Sequence, residues 1–247
     1  MSVPTMVTSI GTSGWSYDHW EPELYPPGLP ARDRLARYAA TFSTVELNSS
    51  FYRWPRPSVF RGWQRMLPDG FRLSVKAARG LTHGKRLHAP EAWAQRIAAG
   101  WHELGERRAV LLVQLGPAHQ RDDSRLAYFL QVLPEWMRVA VEFRHPSWQQ
   151  EDVFALLAEH GAAYCVMSGA HLPCVLRTTA AFAYVRMHGP DDHHLYGGSY
   201  SDGNLMWWAD RIREWERMGK DVFVYFNNDG QANAVRNART LRGMLGQ

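Results

Sequence analysis

Cysteine and long hydrophobic runs are scarce in this sequence, and their scarcity excludes two classes of protein. The 247 residues include only Cys165 and Cys174, too few for the disulfide framework of a small secreted domain. We expect both to be small buried hydrophobic residues. No apolar run approaches the roughly 18 residues that a membrane-spanning helix needs. The first ten residues lack a basic stretch followed by an apolar one, so we expect no secretory signal, no membrane partner and a cytoplasmic location.

Lysine is also rare, because only Lys76, Lys85 and Lys220 among the 28 basic residues are lysine. Lys76 lies in an apolar stretch with the pattern of a strand, where a charge needs a compensating partner or a function. One interpretation is a structural ion pair with Glu46 on the neighbouring predicted strand. The net charge of +4 permits attraction to phosphate but does not by itself indicate nucleic acid.

What the sequence does contain is a regular alternation of short apolar segments with helix-like stretches. This repeat predicts an α/β fold, a TIM-like (β/α)8 barrel, in one domain spanning residues 1–247. The predicted strands are Ser9–Trp15, Thr44–Tyr52, Phe71–Arg79, Ala109–Gly116, Arg138–His145, Ala162–Gly169, Phe182–Gly189 and Asp221–Asp229. The stretch Ala170–Ala181 contains Pro173 and little helical periodicity, so the connection between strands six and seven should be short or lack a helix.

Most of the predicted strands end on polar or charged residues. The C-terminal ends of barrel strands surround one mouth, where the active sites of such barrels lie. The residues expected at this mouth are Glu46, Asn48, Lys76, Gln114, Glu142, Arg144, Arg186, His188, Asn227, Asn228 and Asp229, with His83 on an adjoining loop. Trp15, Tyr17 and Tyr52 are expected beside it, where aromatic rings can stack on a base or a sugar.

The charges at this mouth suit an anionic ligand. Lys76, Arg144 and Arg186 would bind a phosphate or carboxylate, aided by the polar residues around them. Glu46 or Glu142 would act as the acid–base group while the other positions a cation, and Lys76 and His188 join them as catalytic candidates. Flanking glutamates should raise the pKa of Lys76, which argues against Schiff-base chemistry.

Three other interpretations of the same residues stay open. The charges could form a purely structural salt-bridge network at the top of the barrel. A divalent metal could bind Glu46, Glu142, His188 and Asp229, although no HExxH or CxxC string supports it and we expect no cofactor. Glu46 and Glu142 could also serve as the two carboxylates of a carbohydrate-active hydrolase.

Several strings occur together in one order along the chain. They are Gly11–Trp15, Val45–Tyr52, Lys76 with Thr82-His83, Glu142–Trp148, Arg186–Gly189 and Phe226–Asp229. In these strings the chain resembles the DUF72 (YecE-like) family over almost its whole length. The resemblance implies a TIM-like barrel of unestablished biochemical function, with a suggested similarity to endonuclease IV-type DNA-repair folds. Three residues depart from the family's pattern: Gly116 replaces a proline, Ala181 an acidic residue and Ala232 a glycine.

Together these observations predict a barrel that binds a phosphate-bearing ligand, either nucleic acid or a small phosphorylated compound, and hydrolyses a phosphoester. The alternatives are a non-catalytic module that binds nucleic acid or a small anion, and the carbohydrate-active hydrolase.

Overall fold

Eight parallel strands close into a barrel in chain order in this computed structural model, which describes residues 7–247. The strands are β1 (Thr8–Ser13), β2 (Thr44–Leu47), β3 (Arg72–Lys76), β4 (Arg108–Leu115), β5 (Val139–Phe143), β6 (Ala163–Ser168), β7 (Phe182–Met187) and β8 (Asp221–Phe226). β1 pairs with both β2 and β8, which closes the ring. The predicted TIM-like barrel is therefore confirmed.

Seven α-helices within residues 7–247 surround the barrel. They are α1 (Arg34–Ala39), α2 (Pro57–Met66), α3 (Glu91–His102), α4 (Asp123–Val132), α5 (Glu151–Glu159), α6 (Asp202–Arg217) and α7 (Asn233–Met244). Residues 169–181, between β6 and β7, contain no helix, as predicted. Within residues 7–247 no helix is both long enough and apolar enough to cross a membrane.

Strand β2 is shorter than the alternation of its residues predicts. It ends at Leu47, and a 3-10 turn over Ser49–Phe51 follows. The hydroxyl of Ser50 lies 2.9 Å from the carbonyl oxygen of Leu47 and 2.7 Å from that of Lys76. Side chains that bond locally to the backbone compete with a strand ladder. Asn48 and the residues after it therefore leave the sheet, and the predicted extension of the strand to Tyr52 is wrong.

The barrel interior holds both apolar and polar side chains. Val110, Leu112 and Ala140 are fully buried there. Among them the Tyr225 hydroxyl lies 2.7 Å from the Thr44 hydroxyl and 2.9 Å from that of Ser74. Because buried hydroxyls need partners, this bonded set lets the barrel carry polar groups up its centre toward the mouth.

The two cysteines are both free, and they differ in environment. Cys165 is fully buried in the barrel interior, as expected. Cys174 is exposed, so the expectation that it is buried is wrong. It lies on the helix-free connection between β6 and β7, which offers no amphipathic face to bury it.

Gly11 allows β1 to approach β2 closely. A Cβ atom at this position would lie 2.2 Å from the carbonyl oxygen of Thr44 and 3.0 Å from the hydroxyl of Tyr38. That hydroxyl donates to the Thr44 carbonyl oxygen and accepts from the Thr12 amide, each at 3.0 Å. The close approach at Gly11 therefore serves the protein's own backbone rather than a ligand.

We predict that Gly11→Ala destabilises the protein by about 1–3 kcal/mol, because the added methyl group must displace backbone. Gly62→Ala is the matched control: it lies in α2 and its Cβ would meet no atom within 4 Å, so it should raise stability by up to about 1 kcal/mol. Denaturant unfolding measures both. Equal effects of the two substitutions would contradict the interpretation of Gly11.

Candidate functional site

The centre of the mouth is a buried guanidinium between two buried carboxylates. Arg186 in β7 is 1% exposed, and Glu46 in β2 and Glu142 in β5 are both 0% exposed. Arg186 donates from Nη2 and Nε to Glu46, at 2.8 and 3.0 Å, and from Nη1 to Glu142 at 2.7 Å. One arginine thus joins three strands of the barrel.

Glu46 has every carboxylate oxygen occupied by the protein. Besides Arg186, the hydroxyls of Ser13 and Tyr184 each donate to it at 2.7 Å. Burial alone would raise the pKa of Glu46, but the charge and hydrogen bonds of Arg186 and the two hydroxyls lower it below its ordinary value. Glu46 is therefore ionised, as the sequence predicts, and its contacts favour a positioning role over proton transfer.

Glu142 is held in the same way by different partners. Gln114 Nε2 donates to it at 2.6 Å, and Arg144 Nε donates to the same oxygen. Burial would raise its pKa, but Arg186 and Arg144 lower it well below the ordinary value. Glu142, Glu46 and the two arginines form a closed set of two negative and two positive charges, which matches the salt-bridge network considered from the sequence.

His188 is buried beside this network. Its Nε2 lies 3.2 Å from Nη2 of Arg144, and its Nδ1 lies 3.3 Å from the side-chain nitrogen of Asn227. Because a guanidinium can only donate, the contact with Arg144 favours an uncharged ring with Nε2 as the acceptor. Burial and the charge of Arg186 lower the pKa of His188 to about 4, although Glu142 raises it.

Lys76, the last residue of β3, lies outside this closed set. Within residues 7–247 it forms no ion pair, because the oxygens of Glu46 are taken by Arg186. The Nζ atom lies instead 4.3 Å from the ring centroid of Phe51. The interpretation of Lys76 as the ion-pair partner of Glu46 is therefore wrong. Burial and Arg186 lower its pKa to about 8 against the opposite effect of Glu142 and Glu46, so the expected rise is wrong too.

His83 packs against the same aromatic ring. Its imidazole packs edge to face on Phe51 with ring centroids 5.0 Å apart, and its Nδ1 lies 2.9 Å from the Thr82 hydroxyl. A Cβ atom at Gly116 would lie 2.8 Å from His83 Cδ2, so the departure from proline at that position makes room for the imidazole. Burial and the charge of Lys76 lower the pKa of His83.

Ala232, which replaces a glycine of the family's pattern, has a backbone conformation that favours glycine. It adopts φ +59°, in the left-handed region that favours glycine. This residue directly precedes α7, so helix α7 begins at Asn233.

The predicted aromatic residues separate into two groups. Trp15 and Tyr17 line a pocket of about 230 Å³ together with Asn48, whose Oδ1 is buried without a hydrogen-bond partner in the described chain. Tyr17 donates to the Ser13 carbonyl oxygen at 2.9 Å, and burial and the charge of Asp229 raise its pKa to about 12. Tyr52 is 80% exposed at the outer edge of the mouth.

Asn228 and Asp229 bind the protein's own loops. The buried Asn228 donates to the carbonyl oxygen of Gly198 at 3.0 Å and to Asn237 Oδ1 at 2.9 Å. Asp229 accepts from Trp20 Nε1 at 2.6 Å, and His19 Nε2 lies 3.0 Å from its other oxygen. These contacts favour a role in loop attachment.

The residues considered as metal ligands do not come together in one site. Among residues 7–247 no group of three or more His, Cys, Asp and Glu side chains is arranged to hold a metal ion. Glu46 and Glu142 are occupied by arginine, and Asp229 is occupied by Trp20 and His19.

Reasoning from the sequence missed a basic surface beside the mouth, because the net charge was taken over the whole chain. Residues 47–90 contain nine basic residues and one acidic residue, whereas the chain as a whole has 28 and 24. A count by segment would have found this asymmetry. Five of the nine form the basic flank, defined as Arg53, Arg56, Arg79, Lys85 and Arg86 on the loops after β2 and β3. All five are exposed, and none forms an ion pair with any described residue.

Comparison with known proteins agrees with the architecture. A family model described as "Protein of unknown function DUF72" matches residues 9–247. The UPF0759 protein YunF of Bacillus subtilis (strain 168) is 27% identical over 96% of this chain and 94% of its own length. A crystal structure of a DUF72 family protein from Thermotoga maritima superposes with a TM-score of 0.88 and 28% identity, covering 98% of this chain and 100% of that one. A DUF72 family protein from Enterococcus faecalis shares the fold, with a TM-score of 0.83 and 18% identity over 98% of this chain and 96% of that chain.

We predict that Arg186→Met lowers the free energy of unfolding by about 3–5 kcal/mol, because it leaves two buried carboxylates without their shared cation. Lys76→Met is the matched control: it removes a cation with no ion-pair partner in the described chain, so stability should be unchanged or higher. Urea unfolding at pH 7 gives both values. A loss of stability in Lys76→Met as large as that in Arg186→Met would contradict the assignment of partners.

The lowered pKa of Lys76 also predicts a pH effect on stability. Below pH 8 the folded and unfolded chains both hold the proton; between about pH 8 and 10.5 the folded chain releases it while the unfolded chain keeps it. Stability rises with pH wherever the unfolded state binds more protons. The stability of the natural protein relative to Lys76→Met should therefore rise over this interval. Paired unfolding curves at several pH values measure the difference, and a flat or falling difference would refute the shift.

Proposed function

The chain belongs to the DUF72 family, whose model matches residues 9–247, and we propose that its mouth and basic flank bind a phosphate-bearing ligand, specifically single-stranded nucleic acid. The observation that carries this proposal is the basic flank, since five exposed cations on two neighbouring loops have no ion-pair partner in the described chain. Unpaired cations grouped on one surface release counterions from a polyanion when they bind it, which favours association.

The position of the flank supports a nucleic acid rather than a single small anion. It lies on the loops that leave β2 and β3, the strands that end beside Phe51 and Lys76. Tyr52 is 80% exposed on the same loop as Arg53 and Arg56. A basic surface interleaved with an exposed aromatic ring is typical of proteins that bind single strands, because the cations follow the phosphates while a base stacks on the ring.

Hydrolysis by the two glutamates has less support than binding. Arg186 lies between Glu46 and Glu142 and bonds to both, so the space that a glycosidic bond would need between two carboxylates is filled. The low pKa values of both glutamates keep them unprotonated, and their oxygens already accept bonds from the protein. Neither the phosphoester nor the glycoside reaction therefore finds a free acid–base carboxylate here.

We predict that the protein binds a fluorescently labelled single-stranded oligonucleotide and that binding weakens with salt. The double variant Arg53→Gln/Arg56→Gln should bind more weakly, and the slope of log affinity against log salt should fall by about 0.7 for each lost phosphate contact. Fluorescence anisotropy over a range of salt concentrations measures both quantities.

Arg37→Gln/Arg65→Gln supplies the matched control. Both arginines are exposed and lie in the last turns of α1 and α2, away from the C-terminal ends of the strands. This variant removes the same number of charges at the opposite end of the barrel and should leave affinity and slope almost unchanged. Equal losses in the two variants would indicate a non-specific charge effect, and the absence of oligonucleotide binding at low salt would refute the proposal.

A further inference from the structure

We infer that the Nζ amine of Lys76 forms a Schiff base with an aldehyde carried by a phosphate-bearing ligand. The inference rests on the proposed function, because the basic flank is what would hold the phosphate while the aldehyde reaches the mouth. It names a reactive group for the site and a chemical class for its substrate.

The geometry presents Lys76 as a free amine at the functional face of the barrel. Lys76 is the last residue of β3, and the Ser50 hydroxyl bonds to its carbonyl oxygen at 2.7 Å. The Nζ atom lies over the Phe51 ring, 4.3 Å from its centroid. In the described chain no carboxylate pairs with it, since Glu46 and Glu142 are committed to arginine. The Lys76 side chain is half-buried at this end of the barrel, and its nitrogen is not engaged by a carboxylate.

The charges around Lys76 favour the reactive neutral amine. Burial is the largest cause of its lowered pKa, and Arg186 and Arg144 act in the same direction. Glu142 and Glu46 oppose them, but both carboxylates are neutralised by the same arginines. With a pKa of about 8, roughly one Lys76 in ten is neutral at pH 7, whereas an ordinary lysine is almost wholly protonated.

His83, the other titratable group that contacts Phe51, does not disfavour the neutral amine of Lys76. Burial and the charge of Lys76 lower the pKa of His83, so near neutral pH its imidazole is predominantly uncharged. Its Nδ1 is occupied by the Thr82 hydroxyl at 2.9 Å. The surroundings of the amine therefore contain no uncompensated negative charge that would hold its proton.

The chemical step balances without any oxidant or reductant. The lone pair of Nζ attacks the aldehyde carbon, a C–N bond forms and the C=O π electrons move onto oxygen. A proton passes from nitrogen to that oxygen to give a carbinolamine. The hydroxyl then takes a proton from solvent and leaves as water, and the nitrogen lone pair forms the C=N bond of a protonated imine.

The scarcity of lysine makes this assignment directly measurable. Lys85 is exposed on the basic flank, and Nζ of Lys220 donates to the Ala180 carbonyl oxygen at 2.6 Å. With three lysines in the chain, peptide mapping can assign every adduct to one amine. Lys85 also serves as an internal standard for the reactivity of an ordinary exposed lysine.

We predict that sodium cyanoborohydride traps a stable secondary amine at Lys76 when the protein is incubated with a phosphate-bearing aldehyde. Two probes distinguish the source of that aldehyde: glyceraldehyde 3-phosphate, and a single-stranded oligonucleotide with one abasic site. Labelling of Lys76 should exceed labelling of Lys85 at least tenfold at pH 7 and should accelerate between pH 7 and 8. Glyceraldehyde without phosphate should label Lys76 more slowly. Intact mass and peptide mapping give the extent and the position.

Lys76→Arg is the decisive variant because it keeps the positive charge and removes the amine nucleophile. It should lose the adduct while still binding an undamaged oligonucleotide, whereas Lys220→Arg, a change directly before β8 and outside the basic flank, should keep the adduct at Lys76. Equal labelling of Lys76 and Lys85, or failure of both probes on a protein that binds the oligonucleotide, would overturn the inference and leave the proposed function standing. Trapping of the small aldehyde by a protein that binds no oligonucleotide would support the Schiff base and refute the nucleic-acid proposal.

Discussion

The arrangement of the mouth depends on the contact of Arg186 with Glu46 and Glu142. Removing three charges from water is expensive, and a buried pair is a weak source of net stability even when its geometry is good. The cost is offset here because the guanidinium reaches both carboxylates at once, and hydroxyl and amide groups donate further hydrogen bonds to the same carboxylates. The network therefore acts mainly by fixing geometry: it ties β2, β5 and β7 together at the C-terminal ends of the strands.

The same contact determines the charge state of the groups around it. Arg186 raises the cost of any further positive charge, so it helps to lower the pKa of both His188 and Lys76. Because the arginines already neutralise Glu46 and Glu142, these carboxylates raise the pKa values of His188 and Lys76 only a little. A network that looks merely structural thereby yields two nitrogen bases that are easier to deprotonate than ordinary histidine or lysine, one fully buried and one half-buried. Structural and functional interpretations of these charges are therefore compatible.

Much of this organisation could be predicted from the sequence, and the failures have identifiable physical causes. The alternation of apolar segments predicts the barrel, and polar strand ends correctly place Glu46, Glu142 and Arg186 at one mouth. Sequence cannot choose between Lys76 and Arg186 as the partner of Glu46, because that depends on which side chain can span two strands with a planar, multidentate donor. It also cannot foresee partners supplied by distant loops, such as Trp20 for Asp229 or Asn237 for Asn228.

Phosphate binding would favour the charged form of Lys76, whereas Schiff-base chemistry needs its neutral amine. The proposed phosphate position and the reactive nitrogen must therefore be different parts of the site. A phosphate bound directly to Nζ would stabilise the ammonium form, raise its pKa and suppress nucleophilic attack. If the amine reacts, the phosphate must lie elsewhere. The basic flank provides such a position, since its exposed arginines on the loops after β2 and β3 can bind phosphate without touching the nitrogen. Phosphate binding on the flank and carbonyl chemistry above Phe51 can then occur together in one mouth, which a single shared anion site would prevent.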